Sequence, residues 1–284
     1  MMRTVREWLL AILAIVGLPW MAAAETVHFH SAATPPTPLQ RRLAQERAQP
    51  IPEPSSVELA GELYRPPGNG PFPAAVLLHG CAGRPSREAE NFEGAYYARL
   101  GYALLIVDSF GPRGVAQRCD LGVGPPVDRV MDAYGALLYL ARLPFIDAAR
   151  IAVVGYSQGG DAALSAVKLD GVQSHFDRQL RAVIAYYPWC EVSLAAVSAP
   201  TLVLIGELDE ATPAANCREM MARHSGAGAP LRLVVYPNAH HSFDSVRLRG
   251  KPDYFYGRRE YNEAADHAAR EATLAALRGA FERP

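Results

Sequence analysis

Six short apolar runs, each nearly continuous, recur along this chain at 74–79, 102–108, 151–155, 182–187, 201–206 and 231–236. Runs of that length without alternation fit strands buried on both faces, as in a parallel sheet covered by crossover helices. The segments between them carry helical periodicity. Val127, Val130, Met131, Tyr134, Leu137, Leu138 and Ala141 recur at spacings of three and four, after Pro125 and Pro126 and before Pro144. Segment 88–100 stops at Gly101, 213–224 opens on a proline, and 260–281 is a closing helix. An alternating run at 59–65 and a shorter one at 27–30 add two strands. This order predicts one α/β domain over 59–284, a mostly parallel sheet of about eight strands with helices on both faces.

The ends and the charge narrow the class. Arg3 and Arg6 precede eleven uncharged residues from Trp8 to Leu18, then come Pro19 and Ala22-Ala23-Ala24. A membrane span needs about 20 apolar residues, so this shorter run reads as a secretory signal over 1–24, cut to leave Glu25 first. The expected product is periplasmic or secreted, with no stable membrane anchor after cleavage. With 28 Lys plus Arg against 29 Asp plus Glu, the net charge is −1, and nothing suggests a polyanion-binding surface; nucleic acid is not an expected partner.

Export alters the reading of Cys81, Cys119, Cys190 and Cys217, which show no C-x-x-C spacing. Cys81 follows one strand and Cys119 lies in the loop after the next, and Cys190 and Cys217 likewise follow consecutive strands. Of three possible connectivities this placement predicts Cys81 with Cys119 and Cys190 with Cys217. The tight histidine pairs are His28 with His30, which share one face of a strand, and His240 with His241; no metal or cofactor is implied. Between Ser31 and Ser56 six prolines bracket 40–47, which has room for two helical turns. Residues 25–58 therefore read as a strand followed by a Pro-rich surface insertion, with a lid as the sharper alternative.

The chemistry stands at strand ends. The 151–155 run leads into Gly155-Tyr156-Ser157-Gln158-Gly159-Gly160 and then a helix starting near Asp161, a context in which glycines permit a tight turn that holds a strained nucleophile. A serine hydroxyl needs a base and an orienting acid, in this topology later in the chain and with the acid first. Asp209 lies past the 201–206 run, with Glu207 as a competitor, and His241 lies past the 231–236 run, beside His240. All three loops leave the carboxyl edge of a parallel sheet and can converge on one crevice. Singly, Ser157 or Asp209 would serve as a helix cap and His241 as a surface histidine. The oxyanion donors expected are the amides of Gln158 and of Cys81, the latter in a glycine-rich turn after His79. Cys81 lacks the strand-turn-helix setting of a nucleophile.

Taken together, His79-Gly-Cys-Ala-Gly83, Asp108-Ser-Phe-Gly-Pro-Arg-Gly114, the Ser157 motif, Gly206-Glu-Leu-Asp209 and Ala239-His-His-Ser-Phe243 resemble the dienelactone hydrolase family of α/β-hydrolases. The resemblance runs from about residue 59 to 270. It implies the α/β-hydrolase fold and hydrolysis of a small-molecule ester or lactone, and it favours His241, just before a small residue and Phe, over His240. The namesake enzymes of that family use cysteine where Ser157 stands, so the resemblance here points to a general carboxylesterase. Exopeptidase or acyl-transferase chemistry would use the same triad, and a non-catalytic binding protein of this fold would characteristically lack one of its members.

For substrate contacts the candidates are Trp189, past the 182–187 run, and Tyr254 in the aromatic stretch after the histidine loop, each with core or rim packing as the alternative. Arg113 is a candidate for binding a substrate carboxylate, or for a structural pair with a nearby acid. Expression with the native leader should yield a protein whose measured mass starts at Glu25; a full-length, membrane-retained product would reject the leader.

Overall fold

The computed structural model describes residues 24–33, 36–119, 127–191 and 193–282. Residues 1–23 of the expected leader, Pro35, Pro125 and Pro126 lie outside these residues. The strands are β1 (Ala24–His30), β2 (Glu58–Tyr64), β3 (Phe72–Leu78), β4 (Ala103–Asp108), β5 (Ile146–Tyr156), β6 (Val183–Tyr186), β7 (Ala196–Val197), β8 (Thr201–Gly206), β9 (Ala227–Gly228), β10 (Leu231–Tyr236), β11 (Asp253–Tyr254) and β12 (Arg258–Arg259). The α-helices are α1 (Pro38–Glu46), α2 (Arg87–Arg99), α3 (Arg129–Leu140), α4 (Gln158–Ala166), α5 (Ala214–Arg223) and α6 (Glu263–Phe281). Eight strands form one sheet in the order β1-β2-β4-β3-β5-β6-β8-β10. It is antiparallel at the β1-β2 and β2-β4 pairs and parallel from β4 to β10. This is the α/β-hydrolase architecture.

The apolar runs became the buried centre for the reason their lack of alternation implies. Residues 74–76 of β3, 103–105 of β4, 152–154 of β5 and 203–205 of β8 are all wholly buried, so successive side chains face protein on both sides of the sheet. In β1 Val27 and Phe29 face the core while His28 and His30 face solvent. The alternation of β2 has a different outcome. Glu62 is 2% exposed, and its carboxylate meets Arg84, Arg87 and Thr26. That placement of a carboxylate inside the fold is tolerable because it is paired.

Several ends moved relative to the sequence expectations, each through a contact that periodicity does not encode. β5 begins at Ile146, where it pairs with Phe72 across a register shift. α6 begins at Glu263 because the Asn262 side chain caps the Ala265 amide. α1 begins at Pro38 behind a Thr37–Gln40 capping box. The insertion carrying α1 is tied at its base, Ser31 N–H to the Val57 carbonyl at 2.8 Å and Val57 N–H to the Ser31 hydroxyl at 2.9 Å. It leaves the β1 edge, opposite the β10 edge. Among the described residues no helix is long and apolar enough to cross a membrane. Disulfides join Cys81 to Cys119 and Cys190 to Cys217.

Candidate active site

The chain reverses from β5 into α4 within one residue. Ser157 has φ 53° and ψ −121°, a left-handed backbone that for a non-glycine residue costs about 1 to 3 kcal/mol. Its amide donates to the Tyr186 carbonyl at 2.9 Å, and its carbonyl accepts from Gly160 at 2.7 Å. The tightness needs glycine on both sides. A Cβ on Gly155 would strike the Gly159 carbonyl, and one on Gly159 would strike the carbonyls of Leu78 and His79. Ser157 occupies the N-cap position, yet its hydroxyl makes no capping bond. It points to His241 instead.

His241 stands in the loop after β10, and its Nε2 is 3.2 Å from Ser157 Oγ. Its Nδ1 is 2.8 Å from Asp209 Oδ2, from the loop after β8. Asp209 and His241 are buried, while Ser157 is partly exposed. Since an ionised carboxylate only accepts, the Nδ1 proton goes to Asp209 and the Nε2 lone pair faces the serine. Glu207 is exposed, and His240 Nδ1 meets the Leu208 carbonyl at 3.0 Å, so neither rival touches the serine.

Three supporting residues were not singled out from the sequence. Thr212 donates its amide to Asp209 Oδ1 at 2.8 Å, and its hydroxyl lies 2.9 Å from Oδ2 and 3.1 Å from the Tyr187 carbonyl. The carboxylate is thereby held on both oxygens. The Tyr187 ring lies 4.5 Å from the His241 ring, and its hydroxyl donates to Asp244 at 2.8 Å. His79 is 1% exposed; its Nδ1 is 2.8 Å from the Gly80 carbonyl and its Nε2 accepts from the Ser109 amide at 3.4 Å. Arg129 donates to the His79 carbonyl at 2.5 Å. Burial, and after it the Arg129 cation, hold the His79 pKa down to about 3. The signal for His79 was its place before Gly80 at a strand end; Thr212 carried none.

The turn after β3 lies against Ser157, since a Cβ on Gly80 would sit 3.5 Å from Ser157 Cβ. Among the described residues neither the Cys81 nor the Gln158 amide donates to an acceptor in the chain. Both are therefore free to receive a developing negative charge beside Ser157. Cys81 is committed to a disulfide and has no thiol to offer as nucleophile.

Of the substrate-contact candidates, Arg113 takes the second of its two readings, the structural pair, and not the substrate carboxylate. Its guanidinium forms a two-pronged pair with buried Asp132 at 2.9 and 2.7 Å and also donates to the Ser109 carbonyl, so its charge anchors a loop. Trp189 is partly buried beside Cys190, its indole N–H enclosed with no acceptor among the described residues. Tyr254 is 75% exposed on the β11–β12 hairpin. That hairpin adjoins the acid and histidine loops through the Arg258 amide, which donates to Glu210 at 3.0 Å, and through a bridge between His241 and Arg259.

Fold and site together define a hydrolase of the α/β-hydrolase class. The sequence profile of the dienelactone hydrolase family matches residues 59–281, and the chain belongs to that family. An uncharacterized protein of Mycobacterium tuberculosis is 27% identical over 269 residues, covering 85% of this chain and 91% of that one. The esterase FrsA of Enterobacter sp. is 28% identical over 133 residues, 46% of this chain and 30% of that protein. Among solved structures, a dienelactone hydrolase-like promiscuous phosphotriesterase from metagenomic libraries superposes with TM-score 0.62 at 18% identity, covering 89% of this chain and 98% of that one. An esterase from Thermogutta terrifontis gives 0.57 at 19%, with 80% and 92% covered. At these identities the likeness of structure speaks for the fold alone.

Two expectations follow. The unfolded chain takes up a proton near pH 6.5 that folded His79 refuses until about pH 3, so stability is full above that window and falls within it by about 1.4 kcal/mol per pH unit. His79→Asn should therefore lose less melting temperature than the native protein between pH 7 and pH 4; an equal loss would assign the acid sensitivity elsewhere. Thr212→Val, nearly isosteric, should lower kcat/KM about tenfold, the worth of one hydrogen bond to a charged group. Unchanged kinetics would reduce the hydroxyl to packing.

Proposed function

We propose that this dienelactone hydrolase-like enzyme is an exported serine esterase that cleaves small carboxylic esters or lactones through an acyl-enzyme. The observation that carries the reading is the hydrogen-bonded line from Asp209 through His241 to the strained Ser157, at 2.8 and 3.2 Å. Ser157 Oγ attacks the acyl carbon while His241 Nε2 takes its proton, and the amides of Cys81 and Gln158 receive the oxyanion. Collapse expels the alkoxide, which takes the proton from His241, and leaves the acyl group on Ser157. Water then gives a proton to His241 and its oxygen to the acyl carbon, and Ser157 leaves with that proton as the carboxylic acid is released. In a lactone the expelled alkoxide remains joined to the acyl group, so deacylation releases one hydroxy acid. Export is supported by the Arg-flanked apolar leader and by two disulfides, which persist in oxidising compartments.

A peptidase reading has its own support. The human acylamino-acid-releasing enzyme is 22% identical over 252 residues, 34% of its length, and the same three side chains serve amide cleavage. The ester reading is preferred because the family match spans nearly the whole catalytic domain. A panel of short-chain esters, lactones and aminoacyl amides separates the two.

Ser157→Ala and His241→Ala should each lower kcat by at least about 10³-fold, and the double variant should be scarcely worse than either, because members of one catalytic unit fail together. Asp209→Asn should lose less, and His240→Ala should keep most of the activity. A fluorophosphonate should label Ser157. If His240→Ala abolishes turnover while His241→Ala spares it, the base is His240; if neither matters, no such unit operates.

A further inference from the structure

The two proposed oxyanion donors belong to separate elements, the turn after β3 and the first residue of α4, and one short segment grips both. Arg118 donates its amide to the Cys81 carbonyl at 2.7 Å and accepts from the Gln158 side chain on its own carbonyl at 3.4 Å. The next residue, Cys119, is bonded through sulfur to Cys81, with the two Cα atoms 4.8 Å apart. Cys119 is itself buried, and its amide donates to the Gln117 side chain at 2.6 Å. Residues 115–119 belong to no helix or strand, so no ladder fixes them in place. Within the Cys81 turn one long backbone bond runs from Gly83 to the Gly80 carbonyl at 3.3 Å.

We propose that Arg118 and Cys119 form a strap that positions both oxyanion donors, so that turnover at Ser157 requires the oxidised Cys81–Cys119 pair. This rests on the serine esterase reading. A donor amide acts only when it is aimed at the place the oxyanion will occupy, and losing one such donor costs about 10² to 10³ in kcat. Removing the covalent link leaves the Cys81 amide on a turn held by ordinary hydrogen bonds. The strap is a positioning device, acting through the amides rather than on the substrate. It makes the enzyme sensitive to thiol-based reductants: a dithiol gives two electrons and two protons to the sulfurs of Cys81 and Cys119 and leaves as a cyclic disulfide.

The other disulfide provides the control. Cys190–Cys217 spans 27 residues against 38 for Cys81–Cys119, and the loop-closure model gives the two nearly equal stabilisation. Cys217 sits on α5, and Cys190 meets the first turn of α4 only through its backbone amide, which donates to Asp161 with or without the sulfur bond, so neither half touches the Cys81 turn. The test compares Cys81→Ser/Cys119→Ser with Cys190→Ser/Cys217→Ser, both assayed well below their melting temperatures. The first should lose about 10²-fold in kcat with KM within about threefold, and should lose affinity for a trifluoromethyl ketone, whose serine adduct carries an oxyanion, by a similar factor. The second should lower only the melting temperature. If the first variant does not fold, native enzyme reduced with dithiothreitol should lose kcat in step with the appearance of thiols at Cys81 and Cys119. Retained kcat and ketone affinity in the first variant or the reduced enzyme, with Ser157→Ala inactive, would overturn the strap; an active Ser157→Ala would overturn the esterase reading beneath it.

Discussion

Everything at this site depends on the single-residue reversal at Ser157. β5 ends at Tyr156 and α4 begins at Gln158, so the serine must adopt a backbone that its side chain opposes. The turn persists because backbone comes so close at Gly155 and Gly159 that no Cβ fits, and because the sheet on either side is buried on both faces and does not yield. The position of the hydroxyl follows from that turn. It stands clear of the helix that starts behind it, at the carboxyl edge where the loops of β8 and β10 arrive. A parallel sheet sets those loops side by side, which is why residues far apart in sequence meet within hydrogen-bond distance.

Loops at a sheet edge have no ladder of their own, and ion pairs that are partly or wholly buried anchor the ones nearest Ser157. Arg84, just beyond the turn after β3, makes a two-pronged pair with Glu90 at 2.8 and 2.7 Å and reaches Glu62. Arg113 fixes the loop after β4 to Asp132 of α3, and Arg129 of α3 holds the His79 carbonyl. On the α2–α6 side, Arg270 joins Glu93 and Asp266 and lies against the rings of Phe92 and Tyr96. Removing one partner of such a pair strands a buried charge at about 3 to 5 kcal/mol, whereas the intact pair adds little net stability. Their effect is geometric: the Arg84 and Arg113 pairs each give a loop one position, and the Arg270 pair sets α6 against α2.

The architecture was legible because the strands advertise burial on both faces. The 201–206 and 231–236 runs became β8 and β10 end for end, and the serine turn was readable because strand, glycines and helix adjoin in the chain. What stayed hidden was tertiary hydrogen bonding. Thr212 looks like any loop threonine, and only the folded chain shows it on both oxygens of Asp209. Arg113 had two open readings, and the choice needed Asp132, nineteen residues away on another element. The polar side of β2 was unreadable for the same reason, since the pairing of Glu62 depends on Arg84 and Arg87 beyond the next strand.

Under the esterase reading, serine at position 157 also fits the sulfur chemistry of the rest of the molecule. The cysteines at 81, 119, 190 and 217 are all committed to disulfides, and none is free. The turn that carries Cys81 lies against Ser157, and a thiolate at position 157 is the kind of group that exchanges partners with a disulfide it can reach. A hydroxyl does not undergo that exchange. Serine, however, is the weaker nucleophile at neutral pH and needs the full hydrogen-bonded line of His241 and Asp209 behind it. Under the proposed mechanism, the burial of Asp209 and its hold on both oxygens are what let a hydroxyl at position 157 serve where a thiol would otherwise be the stronger nucleophile.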